Sequence, residues 1–423
     1  LYVAGAFNNV NGSPRTGVVA LDPVTGATLP TFSAVANNEV LDMALAGDEL
    51  YLVGRFNAIN GVQREKIARV DATSGALDAG WAPFADAGNA NSIAVDPILD
   101  RVYVGGFFSG IDGTPNTEFL AAVTRGTGAV LTNFDPLPEG GVYDLYARPG
   151  RLYAATGGPG GFVEILDTVT GGRIASLDGD GDLQALAPSG PDVYAGGHHE
   201  TGLGGGPPSP VARIDGGTDA VDPAFGPDIT SVEGFGVWAV LATDTDLWVG
   251  GAITGASPVN AVGVARYPAT NTDPVDTTAP TDPTALTVDG VSDITVRLSW
   301  TPGTDASGVV DHIIERDGVP LGAVRGSTFI DTSVSQTSTY DYVVRAVDLS
   351  GNVSGDSNTV SATTLGPLTE ITAFPFGSTW TYLDSGPEPD TTWREVGFDD
   401  SGWPTGPAEL GQGDGDEATV INN

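Results

Sequence analysis

The segment LYLVGRFNAING, Leu50 to Gly61, has two close copies in the chain: LYVAGAFNNVNG from Leu1 and VYVGGFFSGIDG from Val102. Weaker copies begin at Leu152 (LYAATGG), Val193 (VYAGGHH) and Leu247 (LWVGGAI). Their aromatic anchors, Tyr2, Tyr51, Tyr103, Tyr153, Tyr194 and Trp248, recur about every fifty residues, a period that suits a four-stranded blade and is too long for most helical repeats. Each copy is a short run rich in Tyr, Val and Leu, which reads as a buried strand. Glycines inside it, such as Gly54, Gly105 and Gly106, fit where backbones approach closely. Asn11-Gly12, Asn60-Gly61 and Asp112-Gly113 supply the positive φ angles of a tight hairpin.

A second strand follows each copy: GVVALDPVTGA from Gly17, KIARVDATSGA from Lys66, FLAAVTRGTGA from Phe119, FVEILDTVTGG from Phe162 and PVARIDGGTDA from Pro210. An aromatic-x-Pro ending comes next, as at Trp81-Ala82-Pro83, Phe134-Asp135-Pro136 and Phe225-Gly226-Pro227. One more apolar strand, such as VLDMALAGDE from Val40 or SIAVDP from Ser92, precedes the next copy. Four strands per repeat point to radially packed antiparallel sheets.

The run GRFNAINGVQREKIARVDATSGALDAGWAP, from Gly54, resembles the delta-sixty-type β-propeller repeat of bacterial secreted and surface proteins. The resemblance spans residues 1–270 and is weaker in the fourth and fifth copies, where GGPGG or GLGGGPPSP replaces the F-x-x-x-N-G segment. It implies an extracellular propeller, of six blades or else seven, and no catalytic residues.

Residues 271–282, NTDPVDTTAPTD, read as a semi-extended linker. Residues 283–365 change character. ITVRLSWTPGTD from Ile294, VVDHIIERDGVPLGAV from Val309 and STYDYVVRAVDLSGNVS from Ser338 are strand segments, and Tyr340, Tyr342, Val344 and Ala346 share one face at period two. About seven short strands in ninety residues suggest an immunoglobulin-like sandwich. The segment resembles a bacterial fibronectin type III domain, which would make Trp300 its core tryptophan and Tyr340 its tyrosine-corner residue. Residues 366–423, with Trp380, Trp393 and Trp403, resemble the N-terminal part of a galactose-binding-like β-sandwich, a jelly-roll module that often precedes a catalytic domain in bacterial secreted enzymes. The chain begins inside a strand motif and stops after ATVIN, so both ends read as cut.

The formal charge of −37, with Lys66 the only lysine, repels nucleic acid and anionic membranes and favours cations. With no cysteine there is no disulfide, thiol chemistry or Cys-ligated zinc. No apolar run is long enough to cross a membrane as a helix.

Asp178, Asp180 and Asp182 in LDGDGDLQ have the 1-3-5 spacing of a calcium loop, but Leu183 and Ser189 occupy the positions where an EF-hand needs Gly and Glu. A looser calcium site competes with a solvated Asp-Gly turn. Asp414, Asp416 and Glu417 form a second acidic cluster with the same two readings. His198 and His199, adjacent in one strand, would point to opposite faces, and His312 lies in another domain, so a three-ligand zinc site is not assembled. No G-x-S-x-G elbow, phosphate loop or dinucleotide fingerprint is present.

The expectation is an all-β, non-catalytic, secreted or cell-surface scaffold whose propeller loops contact a protein or glycan partner, or a second copy. The sandwich would be its spacer; no cofactor is assigned, and a structural calcium ion is the one candidate. The alternative is the N-terminal accessory region of a larger secreted hydrolase, for example a metallophosphoesterase, with catalysis beyond Asn423. A propeller enzyme working in its central channel is a poorer fit, with only three histidines available.

Overall fold

In a computed structural model the described residues are 1–158, 160–199, 201–232, 236–243, 245–257, 261–268, 276–366, 377–383 and 397–407, with the backbone of 410–411 and 419–420. The chain divides into two units, Leu1–Leu365 and Gly366–Asn423. Strands dominate throughout, and the one helical element among the described residues is a single turn, Leu203–Gly205.

Among the described residues, six principal antiparallel sheets follow one another along the first 268 residues, one per repeat, with four small two-stranded pairings beside them. The leading strands of the second to sixth are Val40–Ala46, Ala90–Val95, Val142–Arg148, Leu183–Ser189 and Val237–Ala242. Each leading strand touches the next. The fourth strand expected in each repeat is complete only in the fourth and fifth sheets. Elsewhere single bridges mark its place, as at Val70 with Leu77 and Val123 with Val130. The first sheet pairs only Tyr2–Ala4 with Val18–Ala20.

The repeat is held locally by its turns. Asn60 and Gly61 have φ of 53° and 78°, as the hairpin requires. In the D-x-x-S/T-G turns, and in the Asp215 turn where Asp219 replaces the Gly, the first Asp caps the loop: Asp71 Oδ1 accepts from the Ser74 N–H and hydroxyl, and Asp22, Asp167 and Asp215 accept likewise from Thr25, Thr170 and Thr218. The Gly-Gly pair in the middle strand has two separate causes. A Cβ on Gly105 would lie 2.5 Å from Val142 Cγ1 of the next sheet, whereas one on Gly106 would lie 2.2 Å from the Asn89 carbonyl of its own sheet.

Packing is serial. Tyr51, Tyr103, Tyr153 and Tyr194 are buried, and each forms part of the core between its own sheet and the next. The aromatic-x-Pro residues fold back on these anchors: Trp81 meets Tyr51 edge-on at 5.2 Å, and Phe225 meets Tyr194 at 5.3 Å. Five apolar clusters join the first sheet to the second and so on to the sixth. Among the described residues no cluster links the sixth sheet back to the first. The expected propeller ring is therefore not demonstrated by the packing of the described residues, which shows the six sheets in series. The face of the sixth sheet turned away from the fifth carries Leu241, Trp248 and Val264, which are 60%, 40% and 58% exposed.

Residues Thr284–Thr363 form a two-sheet sandwich. Thr284–Val291, Val296–Thr301 and Thr328–Asp331 make one sheet, and Val319–Val324, Val309–Arg316, Thr339–Asp348 and Val360–Thr363 the other. This three-plus-four arrangement is fibronectin type III-like. Trp300, Leu298, Ile314, Tyr342 and Val344 fill its core. The Tyr340 hydroxyl accepts the Ser335 N–H at 2.8 Å, pinning the strand to its own upstream corner.

In the second unit, Thr379–Thr381 pairs with Thr405–Pro407, and Leu410–Gly411 runs parallel to Thr419–Val420. Phe398 meets Trp403 edge-on at 5.5 Å, while Trp380 is 39% exposed. Trp393 lies outside the described residues.

Candidate functional site

The sandwich sits directly on the repeats, and a cleft opens along their junction. Ile313, Ala323 and Val347 of the sandwich pack with Ile98 of the third repeat. Gly322 lies so close to the fourth sheet that a Cβ would fall 2.6 Å from Val169 Cγ2. An ionic hub fixes the same junction. Asp219, buried in the turn of the fifth sheet, accepts from Arg151 Nε at 3.2 Å, the Tyr153 hydroxyl at 3.1 Å and Arg325 of the sandwich at 3.1 Å. Arg325 also donates to the Gly216 carbonyl at 3.1 Å. Three guanidiniums, those of Arg148, Arg151 and Arg325, thus gather where the two domains meet.

The cleft beside this hub has a volume of about 330 Å³. Ile98, Tyr146, Arg148, Asp311, Val347 and Leu349 are among the residues that line it. Its walls are largely apolar, and Arg148 and Asp311 are its charged side chains beside Asp348. Asp311 is buried, and its Oδ1 has no hydrogen-bond partner. Burial pushes the Asp311 carboxyl up, and the nearby Arg151, Arg148 and Arg325 pull it back. A small concave site with apolar walls and a few convergent polar groups is the usual form of a ligand pocket.

Next to the cleft three carboxylates meet. Ligand oxygens of Asp276, Asp305 and Asp348 lie within 4.8 Å of one another. Asn352 organises them: its N–H and Nδ2 both donate to Asp348 at 2.9 Å, and Nδ2 also reaches the Asp276 carbonyl at 2.8 Å. Asp305 Oδ1 accepts the Ser307 N–H and hydroxyl, each at 2.7 Å. Three hard oxygens at this spacing could hold a divalent cation.

The acidic residues singled out in the sequence lie elsewhere. Asp178 and Asp180 are exposed; Asp180 Oδ2 accepts the Thr201 N–H at 3.2 Å. Asp182 is half-buried and clamps a loop, accepting the Gly158 N–H at 3.0 Å and the Tyr143 hydroxyl at 3.1 Å. Among the described residues, the group whose ligand atoms converge is Asp276, Asp305 and Asp348, not Asp178, Asp180 and Asp182. Asp414, Asp416 and Glu417 lie outside the described residues.

The strand that carries the histidine pair ends at Gly197, so His198 and His199 follow it rather than lie in it. His199 is fully buried, and burial pushes its pKa down to about 4, which keeps the ring neutral. His312 is buried in the sandwich, 5.4 Å from the Trp300 ring. Sequence reading missed both the cleft and the Asp276 group. T-D-A-S and D-L-S-G-N are ordinary turn strings, and only the fold brings them together.

No protein-family model matches the sequence. Exoglucanase B of Cellulomonas fimi is 37% identical over 98 residues, which is 23% of this chain and 9% of that protein. Chitinase Chi52 of Paenibacillus xylanexedens is 36% identical over 89 residues, 21% of this chain and 17% of the chitinase. Chitinase C of Streptomyces lividans is 34% identical over 88 residues, 21% of this chain and 14% of the chitinase. The chain thus spans only a small part of each curated relative, a stretch the length of one sandwich domain. Among solved structures, the FN3tt crystal structure shares 24% identity over 21% of this chain and 97% of its own, with a TM-score of 0.18.

Proposed function

We propose that this chain is a non-catalytic extracellular scaffold. In this reading the six repeats are the blades of a delta-sixty-type β-propeller that presents its loops to a glycan or protein, and the fibronectin type III-like sandwich is a fixed spacer. The observation that carries the reading is the junction: Asp219, Arg325 and Gly322 lock the sandwich to the repeats and leave a cleft beside the lock. The regular fifty-residue period and the serial contact of leading strands support the propeller. No helix among the described residues is long and apolar enough to cross a membrane.

A second reading has a specific observation in its favour. The relatives are an exoglucanase and chitinases, so the chain would be the accessory part of a polysaccharide-acting hydrolase. The cleft, with its apolar walls and the charged side chains of Arg148 and Asp311, suits a sugar ring and its hydroxyls. Both readings are tested by mixing the chain with insoluble chitin and cellulose. Retention without release of soluble sugar is expected for a glycan-binding region. Release of sugar by these residues alone contradicts the non-catalytic reading, and failure to be retained on either polymer removes these two glycans as partners.

A further inference from the structure

The leading strands share an irregularity. In each of the second to sixth sheets the register slips at the same place, next to Asp42, Ser92, Asp144, Ala185 and Ala239. A bulge of this kind leaves one residue unpaired, here Leu41, Asn91, Tyr143, Gln184 and Trp238, and bends the strand. At three successive positions the residue just after the slip, itself still paired in its ladder, is polar, and the three side chains touch. The Ser92 hydroxyl lies 3.0 Å from Asp42 Oδ2 and 3.2 Å from Asp144 Oδ1.

Both carboxylates reach across to the following sheet. Asp42 Oδ2 accepts the Ile93 N–H at 2.8 Å, and Asp144 Oδ2 accepts the Leu186 N–H at 2.7 Å. Their other oxygens accept the N–H of the next residue, Met43 at 2.7 Å and Leu145 at 2.8 Å. Asp42, Ser92 and Asp144 therefore stitch the second sheet to the third, the third to the fourth and the fourth to the fifth.

Proton counting exposes a shortage. Ser92 has one hydroxyl proton and two carboxylate neighbours, and an ionised carboxylate only accepts. With both acids ionised, one of the two short contacts would oppose lone pairs. One added proton completes the chain: Asp144 O–H donates to Ser92 Oγ, and Ser92 O–H donates to Asp42.

We propose that Asp42, Ser92 and Asp144 form a single-proton relay that holds four successive sheets together while the proton is bound and loosens them when it leaves. The surroundings favour the bound proton. Among the described residues neither carboxylate has a cation bonded to it. The strands Ala90–Val95 and Leu183–Ser189 carry no titratable side chain, and Val40–Ala46 carries only Asp42. Val142–Arg148 adds Tyr143, Tyr146 and Arg148, which turn to Asp182, to Tyr153 and to the Pro191 carbonyl. Burial and then the charge of Asp42 push the Asp144 carboxyl up to about 7, and burial raises Asp42 as well. A carboxyl raised in the fold stabilises it fully below the ordinary carboxyl pKa of about 3.9, and that stabilisation is lost as pH rises through about 7.

The test is a carbon-13 NMR titration of the Asp carboxyls in the whole chain, with melting curves across the same pH range. One carboxyl is expected to titrate near neutrality. It should vanish in Asp144→Asn and move down toward the ordinary carboxyl range in Asp42→Asn. Between about pH 4 and about 7 the wild-type Tm should fall more steeply than that of Asp144→Asn, and above neutrality the two should run parallel. If Asp144→Asn does not fold, the shift in Asp42→Asn decides alone. A chain in which every Asp carboxyl titrates in the ordinary range overturns the proposal. So does a neutral-titrating carboxyl that neither variant moves.

Discussion

Tyr51 and Trp248 hold the same place in two repeats and have different surroundings. Tyr51 is fully buried against Trp81 and the third sheet, with its hydroxyl donating to Glu49 at 2.8 Å. Among the described residues no sheet packs beyond Trp248, which is 40% exposed and has the Arg266 guanidinium 5.4 Å from its ring centre. Tyr51→Ala should cost roughly 3–5 kcal/mol, the usual loss for a buried aromatic. Trp248→Ala should cost less than about 1.5 kcal/mol, because much of its surface already faces water. Urea unfolding of the two variants checks this, and equal losses would mean that the face around Trp248 is covered in solution. A list of anchors could not separate these two residues, since the string LWVGG reads like LYLVG. What differs is whether another sheet follows on that face, and that is a property of the fold.

At the scale of elements, turns and strands were legible and their meetings were not. The Asn-Gly hairpins and the period-two face of Tyr340, Tyr342, Val344 and Ala346 follow from local chemistry, and each forms as expected. The relay of Asp42, Ser92 and Asp144 and the group of Asp276, Asp305 and Asp348 were not legible. Each gathers single residues from segments tens of positions apart, and no spacing rule links them. The docking of the sandwich was equally hidden, because it rests on Gly322 and Arg325, two residues that look ordinary in GVPLGAVRG. Gly322→Val would drive a branched side chain into Val169 and should cost about 1–3 kcal/mol of overpacking, or undock the sandwich. Arg325→Ala removes one of three donors to Asp219 and should cost about 1–2 kcal/mol. In both variants limited proteolysis should cut the segment before Thr284 faster than in the wild type. Unchanged cutting would mean that this junction does not hold the domains.

For the whole molecule the dominant fact is a formal charge of −37. Like charges at that density oppose compaction, and salt screens them within a Debye length of about 10 Å at 0.1 M. Tm should therefore climb as sodium chloride is raised from low to moderate concentration; a flat or falling Tm in a salt series would show that local ion pairs such as Arg69 with Glu49 outweigh the net repulsion. The proposed scaffold depends on one further whole-molecule property, that the repeats and the sandwich move as a single body. The chain has no cysteine, so two introduced ones are its only thiol labelling sites. Val24 on the repeats and Val319 on the sandwich are well exposed and suit spin labels. A pulsed electron resonance measurement between them should give one narrow distance, which broadens in Arg325→Ala. A broad distribution in the otherwise unaltered chain would contradict the account, because a sandwich that swings freely cannot be a fixed spacer or keep the cleft beside Asp311 in shape.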